Sequence, residues 1–158
     1  MENCRPSKTP LLAGERLTPI PQDALEPIPH VKLMYQRIIG SLMYAMVATR
    51  PDIAYAVSAT GQFAHNPQEE HWIAIRHVLR YLRGSANIAL KFNREGNLSF
   101  IGYSDADWGG NLPDRRSTSG YVFTLGGTAI CWSSTRQKSV ALSSTEAEYV
   151  VVRAIYRS

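Results

Sequence analysis

The hydrophobic pattern of this chain changes period near Gly84, and this change limits the folds that are open to it. Before Gly84, apolar residues recur at the spacing of a helical face, whereas after it they alternate with polar residues. A period of about 3.6 predicts amphipathic helices, and a period of about 2 predicts half-buried strands. We therefore expect an α/β protein of the α+β type, with its helices first and its strands second.

Three helices are predicted in the first half of the chain. Arg50-Pro51-Asp52 separates the first two, because proline cannot continue a helix. The third follows Asn66-Pro67 and ends at Gly84, since glycine is a common helix stop. The apolar stripes are, in chain order, Leu33, Ile38, Leu42, Ala45 and Met46; Ile53, Val57 and Phe63; and Trp72, Ile75, Val78, Leu79 and Leu82.

The segment before these helices has a different character. It carries six prolines and little hydrophobic periodicity, so residues 1–31 are predicted to form an extended, weakly ordered, proline-rich arm. The rest of the chain is interpreted as a helical segment, residues 32–86, followed by a strand-rich domain, residues 87–158.

Strands are predicted after residue 86. Apolar residues alternate over residues 88–92 and again over residues 98–103, with a turn at residues 95–97, so a hairpin is expected there. Two further strands are expected at residues 120–125 and 128–133, because Gly126-Gly127 is a strong two-residue hairpin turn. A helix is then predicted to begin at Ser143.

Composition excludes several classes of protein. The 158 residues include only Cys4 and Cys131, which make neither a disulfide framework nor a metal-ligand pair. No stretch approaches the roughly 18 continuous apolar residues of a membrane helix, and the first residues do not resemble a secretory signal. We expect an intracellular protein, cytoplasmic or nuclear, with no membrane partner. The formal charge of +4 permits attraction to a polyanion without requiring it.

Two acidic residues are the candidates for chemistry. Asp105 lies near the end of an alternating strand, and Glu148 lies in the helix that begins at Ser143. Ser143 and Glu146 have the spacing of a capping box, which gives Glu146 a structural role and leaves Glu148 available. Paired carboxylates can hold Mg²⁺. Solvated surface acids are the alternative interpretation of the same spacing.

Several long motifs follow one another along the chain. They are Ile39-Gly40-Ser41-Leu42-Met43-Tyr44, Thr49-Arg50-Pro51-Asp52-Ile53, His77-Val78-Leu79-Arg80-Tyr81-Leu82-Arg83-Gly84, Ser104-Asp105-Ala106-Asp107-Trp108-Gly109-Gly110, Asp114-Arg115-Arg116-Ser117-Thr118-Ser119-Gly120-Tyr121, Trp132-Ser133-Ser134 and Ala141-Leu142-Ser143-Ser144-Thr145-Glu146-Ala147-Glu148-Tyr149. The last four resemble the ribonuclease H region of copia-type retrotransposon Pol polyproteins, and the first three resemble the segment that connects reverse transcriptase to it.

The resemblance implies a fold and an activity. The fold would be a connection segment followed by a ribonuclease H-like βββα unit, and the activity would be hydrolysis of the RNA strand of RNA/DNA hybrids with two Mg²⁺ ions. Asp105 and Glu148 would be metal ligands. The family's further acids would lie beyond Ser158, so we expect a truncated unit with negligible catalysis by this chain alone. The unpaired edge of the Asp105 strand would favour a protein partner or self-association.

Basic residues are candidate contacts to nucleic-acid phosphates. Arg80 and Arg83 lie on the third predicted helix, and Arg115 and Arg116 lie in a loop. Arginine pairs readily with phosphate, and the family resemblance implies an RNA/DNA hybrid as the partner. A solvated helix face is the alternative interpretation of the helical pair.

One tetrapeptide indicates a different class of protein. Arg80-Tyr81-Leu82-Arg83 matches the Arg-x-Leu-Arg pattern of oomycete effectors. That resemblance implies secretion into a plant host cell and a non-enzymatic action on defence or cell death. In those effectors the pattern follows a cleaved signal peptide in a disordered segment, whereas here we expect it on a helix. A secreted effector is therefore the alternative to a retrotransposon-derived ribonuclease H-like fragment.

Overall fold

The computed structural model describes residues 4–12, 17–18, 29–92, 98–107, 116–137, 143–146 and 148–149. The chain divides into two compact units, a helical unit (Met1–Ala89) and a strand unit (Leu90–Ser158). Helices make up the first unit, and an antiparallel sheet lies in the second. The predicted mixed fold, with helices before strands, is confirmed.

Four helical elements form the helical unit. They are α1 (Pro29–Ala48), a 3₁₀ helix (Pro51–Ile53), α2 (Ala54–Gly61) and α3 (Glu69–Gly84). α1 begins before the predicted Lys32, because proline is tolerated in a first turn, where its missing N–H breaks no hydrogen bond. It ends as expected before Pro51, and the Arg50 amide donates to Ala45 O at 2.9 Å.

A single apolar cluster holds these helices together. Tyr35 lies at its centre, donating from its hydroxyl to Thr60 O at 2.8 Å and packing edge-to-face on Trp72 with ring centroids 5.3 Å apart. Burial raises the pKa of Tyr35 above its ordinary value, so the ring stays neutral. The buried members of the cluster are Tyr35, Ile39, Leu42, Ile53, Ala56, Val57, Ile75 and Val78.

Arg50, which lies between α1 and the 3₁₀ helix, also makes contacts that join the helices. The residue is 8% exposed, and its guanidinium donates two hydrogen bonds to the Asp52 carboxylate, at 2.9 and 2.7 Å. It also donates to the carbonyl and hydroxyl oxygens of Ser85, just beyond α3. Tyr81 donates to the same Asp52 carboxylate at 2.7 Å. Arg50 therefore ties the α1–α2 junction to the end of α3.

His71 is completely buried. Its ring stacks on Phe63 at 3.8 Å, and its Nδ1 accepts the Gln68 amide at 2.8 Å as part of a capping box. Burial lowers the pKa of His71, and the nearby Glu70 carboxylate offsets only part of that effect. A neutral histidine therefore closes the start of α3.

The described part of the arm is held in place. Residues 4–12 were expected to be weakly ordered, yet Ser7 donates its amide to Arg80 O at 3.3 Å and Leu11 packs against the apolar cluster. Irregular segments without periodicity can still dock when their backbone groups find partners on a helix. These residues therefore contact both α3 and the apolar cluster.

Three antiparallel strands form the sheet of the strand unit. They are β1 (Phe100–Asp107), β2 (Thr118–Leu125) and β3 (Thr128–Arg136), in that spatial order. Gly126 and Gly127 join β2 to β3 with φ of 57° and 80°, the conformation that glycine adopts without steric cost. The predicted glycine turn is therefore confirmed.

The predicted hairpin between residues 88–92 and residues 98–103 is wrong on its first side. Residues 88–92 form no strand, and β1 pairs instead with β2, from Phe100 opposite Leu125 to Asp107 opposite Thr118. Ile88 and Phe92 are exposed, so their alternation does not mark a buried face. The predicted turn at residues 95–97 is outside the described residues.

None of the described helices combines the length and the apolar character that crossing a bilayer requires.

Candidate functional site

Asp105 lies in the second half of β1, with its side chain exposed to solvent. Its Oδ1 accepts the backbone N–H of Ala106 at 2.9 Å. That hydrogen bond restricts the rotation of the carboxylate. A charged group in this position keeps its hydration and needs no buried partner.

The neighbour of Asp105 across the sheet is a glycine. Asp105 pairs with Gly120 of β2, and Gly120 pairs in turn with Ser134 of β3. A Cβ atom at Gly120 would meet nothing closer than Ser133 O at 3.9 Å. Because directly opposed residues point to the same face of a sheet, the space beside the Asp105 carboxylate is open on its β2 side.

A second aspartate shares this face. Side chains alternate along a strand, so Asp107 points to the same side as Asp105. Both residues are exposed. β1 pairs with β2 along one side and is an edge strand of the described sheet, as the sequence predicted for the Asp105 strand.

Glu148 lies in a helical turn, residues 144–146 and 148–149, and is exposed. The Ser143 hydroxyl accepts the Glu146 amide at 3.2 Å, which is one half of the predicted capping box. Ser143 is therefore a helix cap, as expected. Glu148 lies beyond that cap on the same turn.

The described residues do not assemble a metal cage by themselves. Among residues 4–12, 17–18, 29–92, 98–107, 116–137, 143–146 and 148–149, no group of three or more histidine, cysteine or acidic side chains converges on one point. Asp105 and Glu148 belong to the same compact unit. Their joint role as ligands stays a prediction.

The basic candidates divide into two groups. Arg80 and Arg83 lie on α3, where their side chains donate to the carbonyl oxygens of Arg5 and Cys4 at 2.7 and 2.8 Å. Arg116 is partly buried just before β2. Arg115 lies outside the described residues. The helical pair is thus occupied by the chain's own arm, a contact that the sequence did not indicate.

The alternative effector motif is folded. Arg80, Tyr81, Leu82 and Arg83 form the last complete turn of α3. Leu82 packs against the apolar cluster, and the Tyr81 hydroxyl donates to Asp52. Tyr81 and Leu82 therefore serve the helical core, whereas Arg80 and Arg83 contact the arm.

Comparisons with known proteins match nearly the whole chain. It is 46% identical over 152 residues to the retrovirus-related Pol polyprotein from transposon TNT 1-94 of Nicotiana tabacum, covering 95% of this chain and 11% of that polyprotein. It is 42% identical over 149 residues to the Pol polyprotein from transposon RE2 of Arabidopsis thaliana, covering 94% of this chain and 10% of that polyprotein. No family model and no solved structure matches the sequence.

A shorter relative is named differently. The chain is 50% identical over 118 residues to the secreted RxLR effector protein 161 of Plasmopara viticola, covering 75% of this chain and 83% of that protein. Since the same chain also matches transposon polyproteins, this likeness does not favour an effector role over a transposon origin.

Together the helical connection motifs, the strand unit and these relatives define a class of protein derived from transposon polyproteins. The chain belongs to the family of copia-type, retrovirus-related Pol polyproteins. It spans about a tenth of the length of the polyproteins that it matches.

Proposed function

We propose that the strand unit is a ribonuclease H-like part of a Pol polyprotein, in which Asp105 and Glu148 ligate Mg²⁺ for hydrolysis of the RNA strand of an RNA/DNA hybrid. One observation carries this proposal: Asp105 stands exposed on β1 opposite Gly120, with the space beside its carboxylate open. Membership of the Pol family supports it.

The residues of the strand unit fit such an ion. Mg²⁺ prefers oxygen ligands and keeps several of its waters, so it needs carboxylates that are exposed rather than enclosed. Asp105 and Glu148 are both exposed carboxylates. The absence of a side chain at Gly120 leaves room for water molecules around the ion.

The other acids have different places. Glu146 lies in the first turn of the helix that Ser143 caps, and its backbone amide donates to the Ser143 hydroxyl. Asp107 lies on the Asp105 face, opposite Thr118. It therefore serves as a neighbouring acid against which the specific effect of Asp105 can be judged.

The chemistry would be divided between ion and protein. Two bound Mg²⁺ ions would activate a water and stabilise the leaving oxygen in phosphodiester hydrolysis. The chain's own contribution is orientation: the Ala106 amide restricts the Asp105 carboxylate, and the Ser143 cap fixes the start of the helix that carries Glu148.

Calorimetric titration of the 158-residue chain with Mn²⁺, a substitute for Mg²⁺, tests the metal site. We expect binding in the wild type, and at least a tenfold loss of affinity in Asp105→Asn and in Glu148→Gln, because each removes an anionic ligand. The matched controls are Asp107→Asn and Glu146→Gln, two residues away in each case. The proposal fails if the wild type binds no Mn²⁺ or if the controls lose as much affinity as the site variants.

Cleavage of a labelled RNA/DNA hybrid is measured with the same proteins. Any Mg²⁺-dependent cleavage is expected to disappear in Asp105→Asn and Glu148→Gln and to persist in Glu146→Gln. Cleavage that is unchanged by both site substitutions would contradict the assignment of these two residues.

A further inference from the structure

Residues 4–9, the strap, lie along one face of α3. His77, Arg80 and Arg83 follow one another at intervals of three residues, and Gly84 lies four residues after Arg80, so all four border the strap. Arg80 Nε donates to Arg5 O at 2.7 Å, and Arg83 Nη1 donates to Cys4 O at 2.8 Å. The strap therefore covers the guanidinium groups of Arg80 and Arg83.

The contacts of His77 continue the same pattern. Its Nε2 lies 2.7 Å from the Ser7 hydroxyl and donates to Thr9 O at 3.0 Å. Across the whole strap, three side-chain donors of α3 thus face oxygen atoms of the chain. Donors that hold carbonyl and hydroxyl oxygens can also hold the oxygens of a phosphate, and they hold those more strongly because a phosphate is charged.

Gly84 makes the close approach of the strap possible. A Cβ atom at this position would lie 2.9 Å from Pro6 Cβ, closer than real Cβ atoms come to a neighbour, and a tight 3.2 Å from Ser7 O. At Gly40 of α1, by contrast, a Cβ atom would have nothing within 4 Å. The strap thus depends on a helix position that has no side chain.

We propose that the strap covers a phosphate-binding face of α3, formed by His77, Arg80 and Arg83, and that a nucleic-acid backbone binds there when the strap leaves. The RNA/DNA hybrid as the nucleic acid rests on the proposed function. Neutral oxygens of the strap are then replaced by charged phosphate oxygens on the same donors. The strap therefore acts as an autoinhibitory contact that weakens binding until it is displaced.

The test compares the full chain with Gly84→Ala, which displaces the strap without changing any charge. Gly40→Ala is the matched control, because it is the same substitution on a helix in open space. Hydrogen exchange at the Ser7 amide, whose donor bond to Arg80 O reports docking, measures strap release. Fluorescence anisotropy with a labelled RNA/DNA hybrid measures affinity.

We expect fast exchange of the Ser7 amide and about a three- to tenfold tighter hybrid in Gly84→Ala, and neither change in Gly40→Ala. If two more phosphates are bound, the slope of the logarithm of the association constant against the logarithm of the salt concentration should become more negative by about 1 to 2. Ser7→Ala removes the hydroxyl that contacts His77 and leaves every residue of α3 unchanged. It should loosen the strap less and give a smaller change in the same direction. In Gly84→Ala, adding Arg80→Gln and Arg83→Gln should remove the gain.

Two results would overturn this proposal. One is a Ser7 amide that remains protected in Gly84→Ala, and the other is an exposed strap with unchanged affinity for the hybrid. Failure of the metal site is separately visible, because the Mn²⁺ titration of the wild-type chain requires neither the hybrid nor release of the strap.

Discussion

The two units of this chain are built in different ways. The helical unit buries large apolar side chains such as Tyr35, Ile75 and Val78. In the described part of the strand unit the buried residues are polar, namely Ser117, Ser119, Thr128 and Gln137. Its β1 instead presents Phe100, Ile101 and Tyr103 to solvent. Packing thus defines the helical unit, whereas hydrogen bonding and cross-strand contacts define the sheet.

The aromatic contacts of the sheet illustrate this difference. Phe100 and Phe123 stack with their centroids 5.3 Å apart and an interplanar angle of 4°. The Phe123 ring also covers Gly102, where a Cβ atom would lie 2.6 Å from it. An aromatic ring laid over a strand glycine compensates for the side chain that the glycine lacks. The comparison of the two units therefore predicts different responses to substitution.

The largest effect is expected in the helical core. Ile75→Ala removes a fully buried side chain and should lower the free energy of unfolding by about 2–5 kcal/mol, through lost burial and a residual cavity. Urea unfolding measures it. Ile73→Ala, on the exposed side of the same helix, is the control and should change stability by less than about 0.5 kcal/mol. Equal costs at both positions would contradict a core built on one face of α3.

A smaller effect is expected at the junction of the helices. Arg50→Ala removes the donors that Arg50 supplies to Asp52 and to the Ser85 carbonyl, and leaves Asp52 the Tyr81 hydroxyl. It should cost about 2 kcal/mol, less than breaking a fully buried pair, because Asp52 still reaches water. Arg76→Ala removes an exposed ion pair with Glu69 and an exposed hydrogen bond to Trp72 O, and should cost less than about 1 kcal/mol. Urea unfolding that ranks these two substitutions in the reverse order would contradict the role of Arg50.

Gly102→Ala probes the strand unit. The added methyl group must displace the Phe123 ring, which should cost about 1–2 kcal/mol by overpacking. The readout is hydrogen exchange of the β1 and β2 amides, which should accelerate. Gly120→Ala, with its nearest neighbour at 3.9 Å, should leave exchange nearly unchanged. Unchanged exchange in Gly102→Ala would show that the ring does not hold these strands.

The smallest effect concerns pH. Because burial lowers the pKa of His71 in the folded chain, the unfolded chain takes up a proton more readily as the pH falls through about 6.5. Stability should therefore fall below that pH and be insensitive to His71 above it. The thermal midpoint, measured from pH 8 to 5.5, should depend less on pH in His71→Gln than in the wild type. The exposed control His65→Gln should keep the pH dependence of the wild type. An identical profile in His71→Gln would contradict the role of its burial.

Local signals made most of the helical unit predictable. Pro51 and Gly84 mark helix ends by their own backbone chemistry, and the Gly126-Gly127 turn needs a conformation that few other residues adopt. Ser143 likewise marked a helix start, because capping depends on residues only a few positions apart. Such features depend on neighbours in the sequence, so they can be inferred from it.

Contacts between distant residues were missed for a physical reason. The strap is held through the carbonyl oxygens of Cys4 and Arg5, and since every residue has such an oxygen, no side-chain pattern marks them. Residues 88–92 alternate like a strand but form none, and with Ile88 and Phe92 exposed their alternation marks no buried face. Of the candidate site, the position of Asp105 on a strand could be predicted, whereas its glycine neighbour across the sheet required the register.

The central claim is that Asp105 and Glu148 ligate the same divalent ion. Paramagnetic broadening by substoichiometric Mn²⁺, followed in the amide spectrum of the isotope-labelled chain, tests it most directly. We expect the amide signals of Ala106 and Tyr149 to broaden together, and Asp105→Asn to abolish the broadening at both. Broadening at Ala106 without Tyr149, or broadening that persists in Asp105→Asn, would contradict a shared metal site.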